Sequence, residues 1–567
     1  MRFTISSLII LALSTVVIVL SNMRFDQQKR EVSDSAHRAL CVGVFLIGCF
    51  FRLFCLGTLP EGISAEEALV GMQAKALWQT GGSLFDGMLT TQFAQWTGES
   101  TGPLLATITA PFVGLLGMTA WTVRLPLALL SCAAMPAAYA LGCELSGKRA
   151  GRWMLVIYAL CPYFVLSARL TCGANAAVCL LPIALWALIK GLDKPAYAYA
   201  GAVLMALLAY AQNMYFFISP VVIVAAALIG AKSKEKRIHA ISAGALGVLV
   251  CLPAMLTLWV NLKGLEGFSW LGVVQIPALS GFDKADSIFD GLTPANAWWN
   301  IRNKVWAVIT GGVFQILEHM NISREMLAPS GMGALYIISI PLMMLGGFSV
   351  LHNALEGNSP ERRHVAGRIL VVAASIITFA ALIIYGSVGS LDLDGCTSVF
   401  DYSSLLIFDA LLMTAGLCRT ERKNAMGSCA ISGLLCVCVA LLGIHLFGGG
   451  YKMNANTYFV GFGDAAVEAK RIQDETGTKV NVTSTVYPHI TPSDAAEIMY
   501  LYAIDADTKN ASERYGKEYE VIYAPGMDGP DPEQIYFISQ EDVTMWDFDG
   551  MDYKEIGDYV VLSPLKD

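Results

Sequence analysis

Apolar runs long enough to cross a bilayer constrain this chain more than anything else in it. A hydrocarbon core about 30 Å thick calls for roughly 17–25 helical residues, with every backbone polar group bonded inside the segment. Twelve runs come near or meet that length once tilt is allowed: 4–22, 39–57, 119–142, 153–168, 175–190, 197–213, 215–231, 240–260, 333–352, 369–386, 401–417 and 425–447. Only 15% of the 567 residues are charged, against roughly 25% in a soluble protein. The segment Thr101–Met118 is apolar too, but Pro103, Pro111 and Gly114 interrupt it, so it reads as an interfacial or re-entrant piece.

Orientation follows from basic residues in short loops. Arg24, Lys29, Arg30 and Arg38 follow the first run, and Lys148, Arg149 and Arg152 the third. Lys190 and Lys194 follow the fifth, and Lys232, Lys234, Lys236 and Arg237 the seventh. Arg362, Arg363 and Arg368 follow the ninth, and Arg419, Arg422 and Lys423 the eleventh. One alternation satisfies them all: these loops are cytoplasmic and both termini lie outside. The first run lacks a clear small-x-small cleavage site, and its removal would leave a basic loop outside, so an uncleaved helix is expected.

Charge divides the chain further. Residues 451–567 hold 22 Asp/Glu and 9 Lys/Arg, a net of −13; the whole chain is −8, so residues 1–450 are +5. The 14 cysteines lie almost all in apolar runs and none lies in the tail, so disulfides do not stabilise it. Within the tail, Asp464–Thr476 reads as a helix ended by Gly477, and Lys479–Val486 as a strand. Thr491-Pro492-Ser493-Asp494 opens a second helix to about Tyr502, and Glu520–Tyr523, Gln534–Ser539 and Asp558–Ser563 read as short strands. The expected fold is an all-α polytopic membrane protein of about 12 transmembrane helices with a small extracytoplasmic α/β domain at its C-terminus. Its parts are 1–38 (an extra helix and a basic loop), 39–447 (the membrane domain, with outer loops 58–118 and 261–332) and 448–567 (the acidic domain).

Polar side chains at the outer surface are the candidates for chemistry. Glu66 and Glu67 open an amphipathic helix after Pro60-Glu61-Gly62. Adjacent helical positions point about 100° apart, so at most one of the two faces a given pocket. A carboxylate in a partly dry cavity can take a proton from a hydroxyl; the alternative is a pair of solvated first-turn acids. Arg124, Arg169, Arg302 and Lys304 lie near outer helix ends, where a cation can hold a phosphate or contact headgroups. Arg169 sits in a polar hairpin that runs to Asn175. Gln95, Trp96 and Glu99 suit a sugar, or an interfacial aromatic belt. The pairs Asp392/Asp394 and Asp547/Asp549 have a cation-binding pattern but fall outside the membrane, where nucleotide sugars are scarce. Asp409 is an acid at the centre of the eleventh run.

The order of these parts resembles the GT-C superfamily of membrane glycosyltransferases, and more narrowly the family-39 type, related to protein O-mannosyltransferases and to the enzymes that place aminoarabinose on lipid A. The resemblance rests on Pro60-Glu61-Gly62 with Glu66-Glu67-Ala68, Trp96-Thr97-Gly98-Glu99-Ser100, Arg124-Leu125-Pro126, Ala168-Arg169 through Gly173-Ala174-Asn175, Tyr210-Ala211-Gln212-Asn213-Met214-Tyr215, Pro220 and Tyr458-Phe459. Three departures stand out. Glu66 occupies the position of an aspartate, Gly173 that of the hairpin aspartate, and an Asn-Arg-x-Asn-like stretch is lost near Asp401 and Ser403.

The resemblance implies an inverting transferase in the cell membrane of a bacterial envelope. It would take a polyprenyl-phosphate sugar as donor and a glycan, lipid or protein as acceptor. Glu66 would act as base and Glu67 would be structural, pairing with a loop arginine; Arg169, with Arg124 or Arg302 and Lys304 as secondary candidates, would stabilise the leaving phosphate. Neither a metal, a cofactor nor a nucleic-acid partner is expected. The lost motifs leave a non-catalytic glycan-binding or scaffolding member as the competing reading, and a transporter as a third.

Overall fold

The structure, a computed structural model, describes residues 5–23, 33–84, 89–94, 100–232, 234, 236–278, 302, 305, 332–355, 362–385, 399–423, 425–448, 461–483, 493–509, 514–522, 530–543, 548 and 550–565. Helices account for most of it. In order they are α1 (Ile5–Met23), α2 (Asp34–Leu53), α3 (Ala65–Thr80), α4 (Leu104–Leu116), α5 (Ala120–Ser146), α6 (Lys148–Leu160), α7 (Pro162–Leu166), α8 (Gly173–Gly191), α9 (Pro195–Leu207), α10 (Tyr215–Gly230) and α11 (Arg237–Leu262). Four more follow: Ser339–Leu355, Arg362–Tyr385, Val399–Lys423 and Ala425–Phe447. Each of the twelve apolar runs is therefore helical over most of its length. Among the described residues seven helices are long and apolar enough to cross a membrane, or eight if the bent pair α6–α7 counts as one span. The chain is a multi-pass membrane protein.

The run 153–168, read as one helix, is two. Pro162 has no N–H for the carbonyl of Tyr158, and the chain bends by 61° there. The N–H of Tyr163 leaves the helix and donates to Ala334 O at 3.0 Å. Arg52, fully buried in α2, repairs the break. Its guanidinium donates to the carbonyls of Tyr158 (2.7 Å) and Ala159 (2.8 Å), and also to Phe164 O (2.9 Å), Gly48 O (3.0 Å) and Ser131 Oγ (2.8 Å). Every N–H of the fork thus meets an oxygen, which is what a cation without water requires. Elsewhere close helix contact depends on small residues. A Cβ on Gly346 would overlap Leu412 O, and one on Gly416 would overlap Leu342 O.

Outside the bundle, α3 and α4 pack on each other and on α5. Short strands follow: β1 (Leu89–Thr90), β2 (Phe93–Ala94), β3 (Ser100–Thr101), β4 (Phe268–Trp270) and β5 (Val274–Ile276), with β1 and β5 linking the segment after α3 to the segment after α11. β1 runs parallel to β5, β4 antiparallel to β5, and β2 antiparallel to β3.

The tail contains helices Phe462–Thr476 and Ser493–Ala503 and strands β6 (Val480–Thr483), β7 (Tyr519–Ile522), β8 (Ile535–Ser539), β9 (Met551–Ile556) and β10 (Tyr559–Pro564). They form one mixed sheet in the order β7-β6-β8-β10-β9, with β6 parallel to both neighbours. β9 was not expected from the sequence: it is an edge strand whose four central residues are exposed. The hydrophobic core of the tail does not close on itself. Ala65, Ala68, Leu69, Met72 and Ala76 of α3 belong to the same cluster as Met499, Leu501, Val482 and Phe537. Lys75 of α3 meets Asp505 Oδ1 at 2.6 Å and donates to the carbonyls of Asp505 (2.9 Å) and Ala506 (2.8 Å). Thr508 donates to Gln79 Oε1 at 2.5 Å.

Candidate active site

The two carboxylates of α3 separate as the 100° step demands. Ser64 caps the helix: its hydroxyl accepts from Glu67 N at 3.3 Å, and Glu67 Oε2 accepts from Ser64 N at 3.1 Å. This reciprocal box turns Glu67 inward. There it is fully buried and meets Arg124 in a two-pronged pair, Nε to Oε1 at 2.7 Å and Nη2 to Oε2 at 2.8 Å. Thr171 N adds a bond to Oε1 at 3.2 Å. Glu66, one step round the helix, is half-buried.

Arg124 also donates to Leu56 O (3.3 Å), Pro60 O (2.8 Å) and Gly62 O (2.8 Å). Arg169, likewise fully buried, donates to the carbonyls of Phe51 (2.8 Å), Phe54 (2.9 Å), Cys55 (2.9 Å) and Leu59 (2.9 Å). Both cations therefore grip the chain between the end of α2 and the start of α3. A helix C-terminus presents unbonded carbonyls and partial negative charge, so an arginine is well matched to it. Gly62 supplies the turn, with φ +78°, that brings its carbonyl to Arg124. Arg124 and Arg169, expected to face a phosphate, here donate to carbonyl and carboxylate oxygens of the protein itself.

Asn175 is fully buried and holds the hairpin. Its Nδ2 donates to Leu170 O at 2.8 Å, and its Oδ1 accepts from Tyr163 at 3.3 Å. Next to it, burial drives the Cys172 thiol well above its ordinary pKa, and the negative charges of Glu66 and then Glu67 add to that. The first turn of α3 meets the hairpin that carries Arg169, Cys172 and Asn175 through the bond from Thr171 N to Glu67 Oε1. Gly173, at the first position of α8, offers no side chain there. Arg302 is exposed in the second outer loop. Gln95, Trp96, Glu99, Lys304, Asp392, Asp394, Asp547 and Asp549 lie outside the described residues.

Two signals were present in the sequence and not used. Ser64-x-x-Glu67 is a capping-box pattern, which marks Glu67 as the structural member of the pair. Arg52 is a cation inside an apolar run, and such a residue needs partners within the bundle.

Comparison with known proteins agrees with this architecture. Residues 100–259 match the family model of dolichyl-phosphate-mannose-protein mannosyltransferases. ArnT from Cupriavidus metallidurans, solved bound to undecaprenyl phosphate, superposes with a TM-score of 0.50 at 11% identity, covering 94% of this chain and 98% of that one. The chain therefore shares the fold of ArnT along nearly its whole length. The archaeal oligosaccharyltransferase AglB from Archaeoglobus fulgidus, in complex with an inhibitory peptide and a dolichol-phosphate, matches at a TM-score of 0.44 and 12% identity over 83% of this chain and 64% of its own. No curated protein matches the sequence significantly. In this fold, α3 with its two acids follows directly on α2.

Proposed function

We propose that this protein transfers a sugar, with inversion, from a polyprenyl-phosphate donor to an envelope acceptor on the outer face of the cell membrane. The chain has about twelve spans in this reading, and the acidic tail is extracytoplasmic. The acceptor is a glycan, a lipid or a protein. Glu66 is the base. Its carboxylate takes the proton of an acceptor hydroxyl, whose oxygen attacks the anomeric carbon while the bond from that carbon to the phosphate oxygen breaks. The lipid phosphate leaves with the bonding pair. The observation that carries the reading is the division of labour in the first turn of α3. Glu67 is locked to Arg124 and Thr171, so Glu66 stands half-buried on a backbone that two arginines hold rigid. Such rigidity serves catalysis, since a misplacement of about 1 Å costs on the order of 100-fold. ArnT was solved with undecaprenyl phosphate, which supports a lipid phosphate as the leaving group. With Arg124 and Arg169 engaged, the cations that face it are assigned to Arg302 and Lys304 of the second outer loop.

Purified protein in nanodiscs, given an undecaprenyl-phosphate sugar and membrane-fraction acceptors, should release undecaprenyl phosphate. Glu66→Gln should slow that release by ~10²–10⁴-fold while still binding the lipid. Equal rates for wild type and variant would remove Glu66 as base. A second reading, binding without transfer, is favoured by Gly173, where the resembled enzymes carry an aspartate. Lipid binding by wild type without turnover would support it.

A further inference from the structure

Gln92 is 2% exposed, yet neither its Oε1 nor its Nε2 has a hydrogen-bond partner. A primary amide brings two donors and a two-fold acceptor. Native structures seldom bury such a group unbonded, and each exception calls for an explanation. The backbone beneath this one is held firmly. Thr90 Oγ1 donates to Gln92 O at 2.8 Å and accepts from Gln92 N at 3.4 Å. Thr91 N donates to Gln275 O at 3.2 Å, and the Thr91 hydroxyl bonds that of Thr257, in α11, at 2.5 Å. The turn from β1 to β2 thus presents the amide inward.

The described polar groups that fix this turn are the hydroxyls of Thr90, Thr91 and Thr257 and the backbone carbonyl of Gln275. Phe93, next in the chain, pairs with Thr101, and Gly102 then comes so close to the following hairpin that a Cβ would overlap Tyr210 O. Among the described residues the groups that fix the turn are uncharged, and uncharged donors and acceptors do not suit a desolvated phosphate, carboxylate or amine. They suit vicinal hydroxyls, each of which gives one hydrogen bond and takes another.

We propose that Gln92 is a specificity-determining residue that reads the hydroxyls of an uncharged sugar. The inference rests on the transferase reading above and adds to it the class of sugar: neutral, with neither an amine nor an acid at the position Gln92 contacts.

The test uses full-length protein in nanodiscs and Gln92→Met, nearly isosteric and apolar. Both are titrated with undecaprenyl phosphate and with its mannose conjugate. Wild type should gain about tenfold or more in affinity from the sugar, and the variant should lose that gain while binding undecaprenyl phosphate equally well. Maltotriose, added as a soluble neutral glycan, separates the sources: a gain lost for maltotriose alone assigns Gln92 to the sugar of the acceptor. Equal gains in both proteins for both probes overturn the proposal, as does tighter binding of a glucosamine conjugate than of the mannose one. Without ligand, the variant should melt at or above wild type, since it removes an unbonded amide. Lower melting would give Gln92 a structural role and overturn the proposal too. If wild type binds neither lipid, the transferase reading itself fails and the sugar assignment falls with it.

Discussion

Glu67 and Glu66 differ by one position and should differ entirely in what their loss does. Glu67→Gln leaves Arg124 buried with its charge uncompensated, a situation that costs about 3–5 kcal/mol. Its melting temperature should drop sharply, whereas that of Glu66→Gln should stay near wild type; a thermal unfolding series on both variants checks this. The reverse order would exchange their roles. Part of this was legible beforehand. The 100° step separates the two acids, and the Ser64 box identifies the inward one. The arginines were harder. A guanidinium near a helix end looks the same in sequence whether it meets a phosphate or the carbonyls of its own chain. Only the path of residues 54–62 beneath Arg124 and Arg169 decides between the two, and that path is tertiary.

At the scale of elements, the apolar runs were readable because a bilayer leaves the backbone almost no alternative to helix. Breaks and edges were not. The bend at Pro162 persists because Arg52 reaches across from α2, a contact more than 100 residues distant in the chain. Arg52→Lys should show how closely the bend depends on it. Lysine has three donors in place of five, so at least two of the oxygens served by Arg52 lose a partner, at roughly 1–3 kcal/mol for each left buried and unbonded. The variant should unfold at a clearly lower temperature, and hydrogen exchange should rise around residues 158–164. Unchanged exchange there would mean that the break is held by Ala334 and Tyr336 alone. β9 escaped notice for the opposite reason: with one side of the strand against β10 and its central side chains in solvent, Met551–Ile556 shows little of the alternation that marks a half-buried strand.

Across the whole molecule, orientation underlies every step of the proposed chemistry. Cysteines placed at 25–38, 232–239 and 362–368 should react only with permeant reagents, and those at 60–100 and 451–567 with impermeant ones. An inaccessible tail would put Glu66 on the wrong side for an outer acceptor. The tail itself should not behave as an independent body. Expressed from about residue 451, it lacks Ala65, Ala68, Leu69, Met72 and Ala76, so an apolar face is left open. It should self-associate or bind a hydrophobic dye, and a peptide spanning residues 65–84 should reverse this; a monomeric, dye-silent tail would show the shared core to be dispensable. The sharing of α3 also bears on how such proteins can be recombined. A tail from another enzyme, joined at the end of the last membrane helix, would arrive without the helix that completes its core and would meet one shaped to a different partner. The heritable module is therefore discontinuous: residues 65–84 and 461–565 have to travel together, though nearly four hundred positions of chain lie between them.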